Sequence, residues 1–289
     1  MTSFELVEPT HLAAAAHLLD PDDPSVRPIA GGTALMLMMK AGVFRPHKLV
    51  SLRKVEPIYA NISVEADALR VGAMATLGQL ERSRDVQKHV PLISRVLVTL
   101  SNVRVRNVAT VGGALSHGDP HMDLPPVLMA LGATLTAVSP AGERQLAVED
   151  LFSGYYETVL GRNELIAEVR IPVQRSKKCW YSKVTTGSAD DWPALGVAAV
   201  IDAFGDDIRS VRLVASAATD RAMRLKSAEA VLSGKIVNDR LLALAAEAAL
   251  TDCEVIADVR GSVSYKRELL RVYVRRTILS ALAQSTAHP

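Results

Sequence analysis

Thiols are scarce in this chain, where Cys179 and Cys253 are the only two. They are too few to ligate an iron–sulfur cluster held by four thiolates, or to build a disulfide framework. Any such cluster belongs to another chain. Long apolar runs are also missing: residues 33–39 and 194–201, the most apolar stretches, fall well short of the roughly 20 residues that a membrane-spanning helix needs. A bias in charge is missing too. The 33 basic and 31 acidic residues leave a net charge of +2 with no long single-sign run, which argues against a nucleic-acid partner. Residues 1–9 carry Glu5 and Glu8 and lack the basic and apolar regions of a secretory leader, so the expected location is the cytoplasm.

Several catalytic signatures are absent. The chain has no G-x-G-x-x-G fingerprint, no G-x-x-x-x-G-K-[ST] loop, no G-x-S-x-G elbow and no H-E-x-x-H helix. Rossmann, P-loop, serine-hydrolase and zinc-peptidase readings therefore fail. Neither cysteine has a neighbouring sequence that marks it as a nucleophile.

What is present is a globular composition, 49% hydrophobic and 22% charged over 289 residues, enough for two packed domains. An alanine-rich helix is expected over 12–19, ended by the turn residues Asp20, Pro21, Asp22, Asp23 and Pro24. A short strand over 26–30 then breaks at Gly31-Gly32, and Thr33 is placed to cap a helix through Met39 to Gly42. Strands are expected over 47–52, 58–64 and 68–72, with helices over 76–82 and 90–100. A polar, basic connector over 101–107 and a strand over 108–111 lead to a second pair, Gly112-Gly113. The order of strand, glycine pair and helix recurs.

Asp123 precedes an apolar helix with Pro125 early in it, the position of an N-cap. Strands over 133–138 and 165–171 follow, and Pro172 stops the second. The charged run Gln174-Arg175-Ser176-Lys177-Lys178 has the composition of a linker. Beyond it, an antiparallel meander over 180–185, 194–203 and 208–217 precedes helices over 222–232, 241–250 and 266–282. Strands then helices suggest an α+β unit. No internal repeat or low-complexity tract interrupts the chain.

A glycine pair between strand and helix lets backbone approach a ligand without a Cβ clash. It also leaves N–H groups at the positive end of the helix, which suits phosphate. A tight turn is the competing reading of one pair, but two pairs could clasp a diphosphate from both sides. His117, Asp119, His121 and Asp123 alternate potential metal ligands, yet Gly118 and Pro120 favour a loop over the strand that would align them. That loop lies at the surface or wraps a ligand; no metal site is expected. Met36, Met38 and Met39 read as adaptable core packing. Arg104 and Arg106 could meet phosphates, although solvation is the more common state of arginines in a polar connector.

The segments Ala30-Gly31-Gly32-Thr33-Ala34-Leu35 and Thr110-Val111-Gly112-Gly113-Ala114, with Asp119-Pro120 and Asp123-Leu124-Pro125 after the second, resemble the FAD-binding medium subunit of the xanthine dehydrogenase and carbon monoxide dehydrogenase family. Phe152-x-Gly154 with Thr158, Glu164-Leu165-Ile166, Ile171-Pro172 and Tyr181-x-Lys183 extend the likeness over nearly the whole chain. The resemblance implies a vanillyl-alcohol-oxidase (PCMH) type FAD-binding domain over 1–173, made of two α+β subdomains of about 1–53 and 54–173. A C-terminal domain over 178–285, a small antiparallel sheet with helices, completes it.

By the same resemblance the glycine loops hold the FAD diphosphate and Asp123 contacts the sugar-alcohol portion. Leu100 lines the pocket, Leu165 or Ile166 meets the adenine side, Lys183 lies near the flavin, and Trp192 stacks on it or packs in the core. Ala114 replaces a common asparagine or serine and brings no side-chain hydrogen bond. No side chain here need act as acid or base. The implied partners are a large molybdopterin-binding subunit and a small subunit with two [2Fe–2S] clusters, in a dimer of heterotrimers. Electrons from those clusters would pass through FAD to NAD⁺, oxygen or another acceptor. A free-standing FAD-dependent oxidoreductase of the same fold is the alternative, with His117 or His121 as its acid–base candidates, and a binding protein that has lost flavin is the third reading.

Overall fold

A computed structural model describes residues 3–284. Residues 1, 2 and 285, at the outer ends of the two expected domains, lie outside the described residues. The first unit contains β1 (Glu5–Val7), α1 (Leu12–His17), β2 (Val26–Ile29), α2 (Thr33–Lys40) and β3 (Lys48–Ser51). Its strands form a parallel sheet in the order β1-β3-β2. Leu12, Ala15, Ala16 and Leu19 pack under this sheet with Val26 and Val50, and their cluster extends to Val138, Leu165 and Ala167 of the next unit. The first subdomain therefore shares its core with the second.

The second unit runs through β4 (Ile62–Glu65), β5 (Ala68–Gly72), α3 (Leu77–Arg82), α4 (Arg84–His89), α5 (Pro91–Val98), α6 (Val103–Arg106), α7 (Val111–Ser116) and α8 (Leu124–Leu131). It then adds β6 (Thr134–Ser139), β7 (Gly142–Ala147), β8 (Phe152–Gly154), β9 (Glu157–Thr158) and β10 (Leu165–Pro172). The sheet order is β4-β5-β10-β6-β7, and every pairing is antiparallel. Thr76 caps α3 with a capping box that includes Gln79, a local device that fixes helix entry.

The third unit opens with β11 (Lys178–Val184), β12 (Leu195–Phe204) and β13 (Asp207–Ser216), the expected meander, to which β14 (Met223–Arg224) and β15 (Lys235–Ile236) pair at β13. Helices α9 (Lys226–Leu232), α10 (Asp239–Asp252) and α11 (Val263–Leu282) cover it. Alternation along β12 divides its side chains. Val197, Ala199 and Ile201 join the helical core of this unit, whereas Ala198 and Val200 join the core of the second unit. A strand buried on both faces is read as a continuous apolar run, which is why residues 194–201 are so apolar.

Several sequence expectations change. Residues 57–60 form a 3-10 turn before β4, consistent with Pro57 at its start. Residues 108–110 are not a strand, and the second glycine pair sits inside the first turn of α7 after its N-cap Thr110. The recurrence is thus incomplete. The connector 101–107 contains α6, and Arg106 is buried, bonded to Glu81 and to the carbonyls of Leu100 and Ser101. It is a structural arginine, neither solvated nor free to meet phosphate. In α2 only Met39 is buried, while Leu37 and Met38 are exposed, so the methionines are not a core stripe.

Candidate functional site

The two glycine loops face each other across a cavity of about 740 Å³, within the range of small-molecule sites. Ala30, Gly31, Gly32, Thr33, Ala34 and Leu35 line one side. Thr110, Gly112, Gly113 and Ala114 line the other, and Leu165 and Ile166 also belong to the lining. Val111 is buried behind its loop. Gly31 is forced by close approach, since a Cβ there would lie 2.1 Å from the carbonyl oxygen of Val108. Gly112 is similar, its absent Cβ lying 2.7 Å from the Ala73 Cβ.

The loops differ in what their N–H groups can do. Gly32 is the N-cap of α2 at φ +70° and provides no side-chain cap; Thr33, expected to cap, is the first helical residue. Among the described residues the N–H groups of Thr33, Ala34 and Leu35 meet no protein acceptor, the first α2 bond being Met36 to Gly32. Unpaired N–H groups at a helix start are an anion site. In the second loop, Val111 donates to Ala75, Gly112 to Ala73 and Ala114 to Thr110, and Gly113 donates to the Thr110 hydroxyl at 3.1 Å. That loop presents a wall of engaged backbone, with the Thr110 hydroxyl proton still available.

Asp123 stands at the N-cap position of α8 but makes no capping bond. Its carboxylate turns away to accept from the Tyr181 hydroxyl at 2.6 Å and from Lys183 at 2.9 Å. Burial pushes the Asp123 carboxyl up, and Lys183 and Tyr181 oppose the shift. The Tyr181 hydroxyl is also pushed up by burial and by Asp123. Lys183 further donates to the Thr99 carbonyl at 2.8 Å. Neither Asp123 nor Lys183 lines the cavity, although Met122 beside Asp123 does, and Leu100 is likewise buried outside the lining.

The loop 117–123 is not at the surface. Asp119, His121 and Asp123 are buried, and His121 bridges Asp119 at 3.1 Å and Asp258 at 2.9 Å. Lys266, fully buried, reaches Asp258 at 2.8 Å and the Ala217 carbonyl at 2.8 Å. This network joins the 117–123 loop to α11. Desolvation raises the Asp258 pKa, but bonds from Lys266 and His121 outweigh it and bring the carboxyl down to about 2. No group of side chains able to hold a metal ion occurs among the described residues. Trp192 is 51% exposed, stacked on His121 with centroids 6.5 Å apart and covered by Arg260; core packing does not describe it.

The sequence reading missed several cavity residues. Arg27, His117, Tyr156 and Arg162 also line the cavity, and burial lowers the His117 pKa. The adjacent Tyr155-Tyr156 was a readable signal, whereas single arginines on a strand and in a turn carry none.

The geometry defines a cavity between two subdomains with an anion-accepting loop, followed by a sheet-and-helix domain, and comparison with known proteins names the class. Residues 2–174 match the FAD binding domain in molybdopterin dehydrogenase, and residues 180–281 match the CO dehydrogenase flavoprotein C-terminal domain. The chain is 31% identical to the glyceraldehyde dehydrogenase medium chain of Sulfolobus acidocaldarius, covering 93% of this chain and 95% of that one. It is 30% identical to the nicotine 6-hydroxylase medium subunit of Paenarthrobacter nicotinovorans, covering 99% of each. The solved carbon monoxide dehydrogenase from Hydrogenophaga pseudoflava superposes with a TM-score of 0.94 at 30% identity, covering 98% of each chain.

The chain belongs to the FAD-binding medium-subunit family of the molybdenum hydroxylases. Its relatives are subunits of oxidoreductases. No described helix is long and apolar enough to cross a membrane.

Proposed function

We propose that this chain carries FAD in the cavity between its two glycine loops and takes electrons from the [2Fe–2S] clusters of a small partner subunit. They leave to NAD⁺, oxygen or another acceptor. A large molybdopterin-binding subunit performs the hydroxylation, and the assembly is a cytoplasmic dimer of heterotrimers. The reading rests on one observation above others: a cavity of about 740 Å³ bounded by the two loops, with unpaired N–H groups on the first.

Bound FAD supplies the two-electron and one-electron redox chemistry, and the protein supplies orientation and electrostatics. Thr33, Ala34 and Leu35 offer backbone donors to the diphosphate, and Gly32 keeps that approach free of a side chain. Thr110 orders the opposite wall through its bond to Gly113. Leu165 and Ile166 give the adenine an apolar seat. Asp123, Tyr181 and Lys183 fix the start of α8 against β11, behind the cavity. Trp192, stacked on His121 outside the cavity lining, covers the ring system in this reading by resemblance to the family alone. None of these residues needs to exchange a proton with substrate.

The test is purification of the native complex with molybdenum, iron and flavin quantified together, and with aldehydes, N-heterocycles and carbon monoxide offered as substrates. Co-purifying partners and all three components are expected. Full turnover by this chain alone, without molybdenum, would establish a free-standing oxidoreductase instead.

A further inference from the structure

The charge around the cavity is uneven. Arg27 lies on β2, four residues before Gly31, and Arg162 lies in the turn before β10; both side chains line the cavity. They come from different subdomains. The Arg27 guanidinium rests over the Phe44 ring, 5.3 Å from its centroid, and Arg162 donates to the Pro21 carbonyl at 3.2 Å. Neither joins an ion pair among the described residues.

The carboxylates nearby are committed elsewhere. Glu164, in the lining, is closed onto Arg144 and the Gly161 N–H. Asp23 senses the Arg162 charge weakly, but its own partners are Ser25 and His47. Glu157, also in the lining, sits on the β8–β9 hairpin and pairs with neither arginine. Arg27 in turn is shifted down, first by desolvation and then by the Arg162 charge. Two cations lining one cavity thus repel each other until an anion enters between them.

The same cavity carries the unpaired N–H groups of the first loop, which follows β2 in the chain. An arginine fork matches the oxygens of a phosphate in two-point geometry. We propose that Arg27 and Arg162 form a two-sided clamp on a diphosphate, which makes the site selective for a dinucleotide over riboflavin. The clamp rests on the FAD reading above and adds a consequence to it. Since one arginine belongs to each subdomain, the ligand's charge removes a repulsion and draws the two subdomains together.

The experiment titrates the flavin-free full-length chain with FAD by flavin fluorescence, with riboflavin as a second ligand and ADP and adenosine as competitors. Wild type is compared with Arg27→Met, Arg162→Met, the double variant, and the lysine variants that keep the charge without the fork. Circular dichroism controls for folding, and the lysine variants serve if a methionine variant does not fold. Each methionine variant should bind FAD and ADP about tenfold more weakly, as loss of one charge-assisted bond implies. Riboflavin affinity should not change, lysine should restore part of the loss, and the salt dependence of FAD binding should flatten. FAD affinity unchanged in the double variant overturns the clamp while leaving the FAD reading intact. So does adenosine competing as well as ADP, or riboflavin weakening as much as FAD. A wild-type chain that binds neither FAD nor ADP overturns both.

Discussion

The carbonyl oxygen of Val108 occupies the space where a side chain on Gly31 would begin, only 2.1 Å from that Cβ position. Gly31 lies just after β2 of one subdomain, and Val108 precedes the glycine loop of the other. The spacing of the two loops therefore depends on a residue without a side chain.

Gly31→Ala should force this contact apart, at a cost of about 1–3 kcal/mol for an overpacked site, and should weaken FAD binding because the walls separate. Gly113→Ala meets only the Thr110 hydroxyl, 3.0 Å from its Cβ, and should be milder in both respects. Urea denaturation and flavin titration on the two variants check the ranking; equal effects would contradict it.

The Asp123–Lys183 pair is buried on both sides, with side chains 4% and 9% exposed. Removing one partner strands the other, so Asp123→Ala should lose about 3–5 kcal/mol. Asp123→Leu combined with Lys183→Met should recover much of it. A double-mutant cycle in urea measures this, and additive losses would show that the two groups do not interact.

Asp258 has a folded pKa of about 2, against an ordinary 3.8. A depressed carboxylate contributes stability that is present above the ordinary value and is lost as pH falls from about 3.8 through about 2. Unfolding midpoints measured from pH 5 downward should fall across this window. In Lys266→Met, which removes the bond that lowers Asp258 most, the drop should become shallower; an unchanged slope would contradict the assignment.

Thr110 caps α7 through the Gly113 N–H. Thr110→Val should cost about 1 kcal/mol of stability, and should also weaken FAD binding because the hydroxyl proton is lost. Thr110→Ser should retain both. Thermal unfolding with flavin titration separates the two effects.

The sequence carried both glycine loops, the α+β class and the meander, because strand alternation and glycine position are local signals. Thr76 reads correctly as a cap because its capping box is complete within four residues. Thr33 and Asp123 read as caps from the same logic, and the structure gives the first role to Gly32 and turns the second side chain toward Tyr181 and Lys183. Distant partners decided the second case. Arg106 looked like a solvated connector residue since Glu81, its partner, lies 25 positions earlier. The unequal donor capacity of the two loops was also hidden, for it depends on Ala73 and Ala75 accepting from Gly112 and Val111.

The central claim is that FAD sits between the loops, and flavin content after gel filtration of wild type, Gly32→Val and His121→Ala tests it most directly. Gly32 holds φ +70° at the mouth of the unpaired donors, a conformation that valine does not tolerate. The account predicts stoichiometric FAD in wild type, a folded but flavin-free Gly32→Val chain, and flavin retained in His121→Ala. Stoichiometric flavin in a folded Gly32→Val chain would contradict it.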